Sequence, residues 1–99
     1  MDNPSPLYVK LLGETAKIGW VELERYFASG SLLLVAGHKD LVEMAEAIAD
    51  NRQDKVVEWL SAGELNKVTE AQAQDFIARD PDLWAVVVAP WILVQERSA

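Results

Sequence analysis

The chain contains no cysteine and only one histidine, His38. Without cysteine there is no disulfide, no thiolate nucleophile and no cysteine-ligated metal. One histidine cannot build a multi-histidine zinc site within a single chain, and neither a metal nor another cofactor is expected. Cations are scarce too: 9 lysines and arginines stand against 16 aspartates and glutamates, a net charge of −7. The cations are scattered from Lys10 to Arg97 without a basic patch. So acidic a surface repels a phosphate backbone, and no nucleic-acid partner is expected. Long apolar runs are missing as well. The longest, Leu83 to Val94, has twelve residues, whereas a membrane-spanning helix needs about 20. The opening Met1-Asp2-Asn3-Pro4-Ser5-Pro6 lacks the basic-then-apolar layout of a signal peptide. These absences predict a cytoplasmic protein without a membrane partner.

What is present is enough apolar material for one core. Ninety-nine residues, 51% of them hydrophobic, suit one globular domain over 1–99, with residues 1–4 expected to be disordered. The stretch Leu83–Gln95 holds Trp84 and Trp91 and the β-branched run Val86-Val87-Val88. It reads as a strand that is apolar on both faces. Pro90 interrupts it and cannot donate to a ladder. A hairpin at Ala89-Pro90 would place proline third in the turn, which is disfavoured unless the bond is cis. One strand bent at Pro90 is therefore expected. Trp84 and Trp91 would then face opposite sides unless a bulge shifts the register.

Helical spacing occupies most of the remainder. Ser5 with Pro6 reads as a helix start. The stripe Leu7, Leu11, Leu12, Thr15, Ala16 carries that helix toward a joint at Gly19. Trp20, Leu23 and Phe27 line a second helix over about 20–29. Ser31–Ala36 reads as a buried strand between glycines. Asp40 with Glu43 caps a third helix over about 40–50. A fourth runs from Lys55 to Ala62 and closes at Gly63. Residues 65–68 alternate as a further candidate strand. Thr69 with Gln72 caps a fifth helix, and Asp80-Pro81 ends it. The predicted fold is α+β: about five helices on a small, mostly antiparallel sheet with strands near 31–36 and 83–95.

Three stretches together resemble one family: Gly13 to Leu23 (GETAKIGWVEL), Asp40 to Ala45 (DLVEMA) and Trp84 to Glu96 (WAVVVAPWILVQE). They are similar to domain of unknown function 2288, and the likeness runs from about Leu7 to Glu96. The resemblance implies a single-domain bacterial protein and brings no catalytic residue with it.

Site chemistry is thin. As a general base, His38 would need an orienting carboxylate, and Asp40 lies within chain reach. An exposed loop histidine is the simpler expectation, because no nucleophile elbow or phosphate loop accompanies it. Most carboxylates, Asp80 and Asp82 included, read as a solvated face. Glu14, beside the apolar stripe, is expected to be partly buried. Catalysis is the weaker reading. The stronger is a non-enzymatic module that self-associates as a dimer through Trp91, Ile92, Leu93 and Val94, an apolar set that a small monomer would not leave wet. The alternative is a small-molecule binder or enzyme with a pocket between sheet and helices, drawing on Glu14, Trp20 and His38.

Overall fold

The computed structural model describes residues 5–97, and the disorder expected of residues 1–4 lies outside them. Helix α1 (Pro6–Glu14) starts where the sequence predicts. The Ser5 hydroxyl accepts from the Tyr8 N–H at 3.0 Å, and Pro6 takes the first helical position. The helix stops before its apolar stripe does. Ala16–Ile18 leaves it to form strand β1, which pairs antiparallel with Leu83–Ala85. Three residues carry no readable period, so a pairing partner far along the chain decides their state.

Helix α2 (Trp20–Ala28), strand β2 (Leu32–Val35) and helix α3 (Leu41–Ala49) follow as read. Asp40 caps α3 by accepting from the N–H groups of Val42 and Glu43 at 2.9 and 3.2 Å. Helix α4 (Gln53–Ala62) begins ahead of the expected Lys55 and closes at Gly63, whose φ of 75° suits a residue without Cβ. Strand β3 (Leu65–Lys67) leads into helix α5 (Glu70–Arg79), where the capping box between Thr69 and Gln72 is closed in both directions. The helix ends at Asp80, held left-handed at φ 48° immediately before Pro81.

The terminal apolar stretch is not one bent strand. It folds as a hairpin of β4 (Leu83–Val88) and β5 (Trp91–Glu96), in register from Val88 opposite Trp91 to Leu83 opposite Glu96. The Ala89–Pro90 bond is cis, the isomer that admits proline at the third turn position. The turn also settles the two tryptophans. Trp91 stands opposite Val88, an even number of positions from Trp84, so both rings lie on one face.

The sheet order is β1–β4–β5–β2–β3, with β2 and β5 parallel and the other three pairings antiparallel. The fold is α+β. Helices cover both faces. Leu33, Val35, Val86 and Leu93 meet α1, α3 and α4 in one core, while Leu32, Ala85, Ile92 and Val94 meet α2 and α5 in the other. This explains the apolar character of both faces of β5. It also corrects the premise that a second chain must cover one of them. Helices of nine or ten residues bury a single stripe each and still leave a polar side in water.

One polar side chain breaks the pattern. Gln95, 2% exposed, donates through Nε2 to the carbonyls of Ala36 and Lys39 at 2.9 and 2.6 Å. Its Oε1 accepts from Arg97 Nε at 3.1 Å. Strand β5 thereby fastens the β2–α3 turn from beneath.

Candidate functional site

An apolar concavity lies between α4 and the β4–β5 turn. Its walls and floor come from five separate segments. The α3–α4 connection supplies Asn51 and Arg52, with Asn51 left-handed at φ 57° and the Arg52 N–H donating to the Ala47 carbonyl at 2.8 Å. That tight turn sets the start of α4, whose Val56, Val57 and Leu60 form one wall. Ala89, Pro90 and Trp91 form the opposite wall, and Leu33 and Leu65, both part of the buried core, are its floor. The cleft measures about 500 Å³, within the usual range for small-ligand sites of roughly 300–1,000 Å³. Val57 and Leu60 remain 59% and 49% exposed, so its rim is apolar as well. Lys67 leans over it, with its ammonium 5.6 Å from the centre of the Trp91 ring.

The residues singled out from sequence are distributed differently from that cleft. Glu14 is exposed at the end of α1, not partly buried. Trp20 is sealed in the α2–α5 core, 5.9 and 5.5 Å from the rings of Phe27 and Phe76. Its Nε1–H has no hydrogen-bond partner among the described residues. His38 is exposed in the β2–α3 turn, with Nε2 3.0 Å from Glu64 Oε2. Asp40, the carboxylate the sequence offered it, caps α3 and accepts from the Tyr8 hydroxyl at 2.7 Å. That bond is the main reason the Tyr8 phenol holds its proton above the usual range. Glu14, Trp20 and His38 therefore do not converge. Of the four interface residues, Leu93 and Val94 are wholly buried and Ile92 nearly so. Trp91, half-buried, is the one that reaches a surface feature.

Ion pairs elsewhere are few among the described residues. The Arg79 guanidinium donates to both oxygens of Glu96 at 2.8 Å and to both of Asp75 at 2.8 and 2.6 Å. These bonds hold the Asp75 and Glu96 carboxyls below the ordinary carboxylate range and raise the guanidinium above its own. Lys17 meets Asp82 at 2.9 Å. Among the described residues, no three His, Asp or Glu side chains gather to hold a metal, and no helix is long and apolar enough to cross a membrane.

The sequence profile of the family described as "Protein of unknown function (DUF2288)" matches residues 6–96. The chain belongs to that family. The DUF2288 chain is similar to a solved structure, the NMR solution structure of PA1075 from Pseudomonas aeruginosa. The two are 57% identical with a TM-score of 0.84, over 99% of this chain and 91% of the other. No curated protein matches the DUF2288 sequence. Neither likeness assigns a role to Arg52, Lys67 or α4, and residue-by-residue reading missed them because the cleft joins segments far apart in sequence. One signal was present. Val56 and Val57 are adjacent on a helix, and side chains 100° apart around the axis cannot both face a narrow core stripe.

Proposed function

We propose that this protein is a non-catalytic binding module that holds an apolar group in the cleft between α4 and the β4–β5 turn. The observation that carries this reading is a cleft of about 500 Å³ whose floor is the core itself, at Leu33 and Leu65. No histidine, serine, threonine or carboxylate lines it, so it offers apolar grip, and its one amine, Lys67, has no neighbouring base in the lining to activate it. At about 0.8 kcal/mol per buried methylene, five methylenes give roughly 4 kcal/mol, a millimolar dissociation constant.

The test is a titration with n-octanol followed by NMR. Saturable shifts are expected at Val56, Leu60, Leu65 and the Trp91 indole, and they should weaken in a Val56→Phe variant that narrows the cleft. Shifts that never saturate, or that gather in the α2–α5 core, overturn the reading.

Self-association is a second reading, in altered form. Its support is the exposed pair Val57 and Leu60 beside Trp91, which would place a second copy against α4 and leave Ile92, Leu93 and Val94 inside each chain. Light scattering from micromolar to millimolar concentration tests it, with Leu60→Glu as the control. A constant monomer mass removes it.

A further inference from the structure

Four surface cavities among the described residues carry at least two carboxylates each. That is the ordinary outcome for a chain with 16 acids and 9 bases. The α4 cleft departs from it. Its charged residues are Lys67 and Arg52, the latter also bordering the neighbouring cavity that Glu46 and Asp50 line. They approach from different segments, Arg52 from the α3–α4 connection and Lys67 from the end of β3. Neither is in an ion pair among the described residues, a state they share with Lys10, Arg25, Lys55 and Arg97; what sets them apart is that they border an apolar cleft with no carboxylate in its lining. An apolar floor with two unpaired cations at the mouth is complementary to one kind of molecule: an alkyl chain that ends in an anion.

We propose that the cleft takes a single-chain carboxylate, with the alkyl chain against Leu33, Leu65 and Trp91 and the head group between Arg52 and Lys67. This rests on the binding-cleft reading above and adds the sign of the ligand's charge. The head group stays at the mouth, in contact with water, so it forms its ion pairs without the full cost of burying a carboxylate. An exposed pair contributes about 0.2–1 kcal/mol, roughly 1.4- to 5-fold in affinity. Two such pairs make octanoate on the order of tenfold tighter than the uncharged octanol. A segment of another protein is the less favoured occupant, because the cleft is closed by the turn at one side and by α4 at the other.

The experiment compares n-octanol, octanoate and octyltrimethylammonium by NMR titration against the wild type, Arg52→Gln and Lys67→Met. The expected order is octanoate tightest and the ammonium weakest. Each variant should lose roughly threefold in octanoate affinity, leave octanol unchanged, and flatten the salt dependence that the wild type shows. If octanol and octanoate bind equally in all three proteins, the cleft stands and the carboxylate assignment falls. If none of the probes saturates, the cleft reading itself falls. Two further arms separate sources of the same chemistry. Phosphatidylglycerol vesicles that bind where free octanoate does not would reassign the cleft to a lipid surface. An acidic peptide with a terminal leucine that outcompetes octanoate would reassign it to a polypeptide. Either result overturns the proposal.

Discussion

Replacing Gln95 distinguishes a hydrogen-bonding role from mere bulk. Its amide nitrogen donates to two carbonyls, those of Ala36 and Lys39, at 2.9 and 2.6 Å. The Ala36 carbonyl also accepts from the Lys39 N–H at 3.1 Å, so it keeps a partner when Gln95 is lost. The Lys39 carbonyl is the group that suffers. In Gln95→Leu the two carbonyl bonds of about 1 kcal/mol each and the bond from Arg97 disappear and one acceptor is left unsatisfied, for a cost of roughly 2–3 kcal/mol after the gain in apolar burial. Gln95→Glu has nearly the same shape but the opposite polarity. A carboxylate oxygen would face both carbonyls from a position 2% exposed; Arg97, 3.1 Å from the other oxygen, offsets part of that charge, so the cost sits toward the lower end of the about 3–5 kcal/mol of an uncompensated one. Burial and the two carbonyls would raise the folded-state pKa of such a glutamate. Its penalty should therefore be smallest below the unfolded value of about 4.3 and grow as pH rises through the folded value. Urea unfolding of both variants and wild type, each compared at matched pH, measures this. If the glutamate variant is no less stable than the leucine variant at neutral pH, or its deficit does not shrink in acid, Gln95 is not holding the turn as described.

Arg79→Met should destabilise the protein at neutral pH, and the gap to wild type should close in strong acid. Asp75 and Glu96 have lowered carboxyl pKa values, so their contribution is present above the unfolded values and lost as pH falls through the folded ones. Thermal unfolding across the acid range checks it, and a gap that persists unchanged counts against the network. Trp84→Ala should cost about 2–3 kcal/mol, less than the 3–5 of a fully buried aromatic, because Trp84 is half-buried beneath the Arg97 guanidinium; chemical denaturation reads this directly. His38→Ala should stay within about 0.5 kcal/mol, since its partner Glu64 also meets Lys39 at 3.7 Å; a loss above 1 kcal/mol by the same assay would show the turn depends on the imidazole.

Local chemistry made most of the helices legible. Ser5, Asp40 and Thr69 mark three helix starts because each has an oxygen placed to accept from a first-turn N–H. What failed was set by partners distant in sequence. Ala16–Ile18 is a strand only because Leu83–Ala85 lies beside it. The hairpin depended on the isomer of one bond at Pro90, which composition does not reveal. The dimer expectation rested on apolar residues on both faces of Trp91–Val94; helices flank the sheet on both sides, so those faces do not by themselves require a second chain. The α4 cleft was unreadable for the same reason. Arg52, Val56, Lys67 and Trp91 sit on four different segments, and only the sheet order β5–β2–β3 draws them together.

Strand β5 is the last strand in sequence yet lies mid-sheet, between β4 and β2. Its parallel partner places Leu33 opposite Leu93, sixty positions away, a separation that slows closure. Synthesis delivers the N-terminal elements first. A nascent chain that stops before Trp91 has β2 without its parallel neighbour, β4 without its hairpin, and both apolar layers split along the middle. Such a chain is a substrate for chaperones and proteases, not a domain lacking a tail. Premature termination just before Trp91 should therefore remove the protein from the cell as completely as termination near Met1.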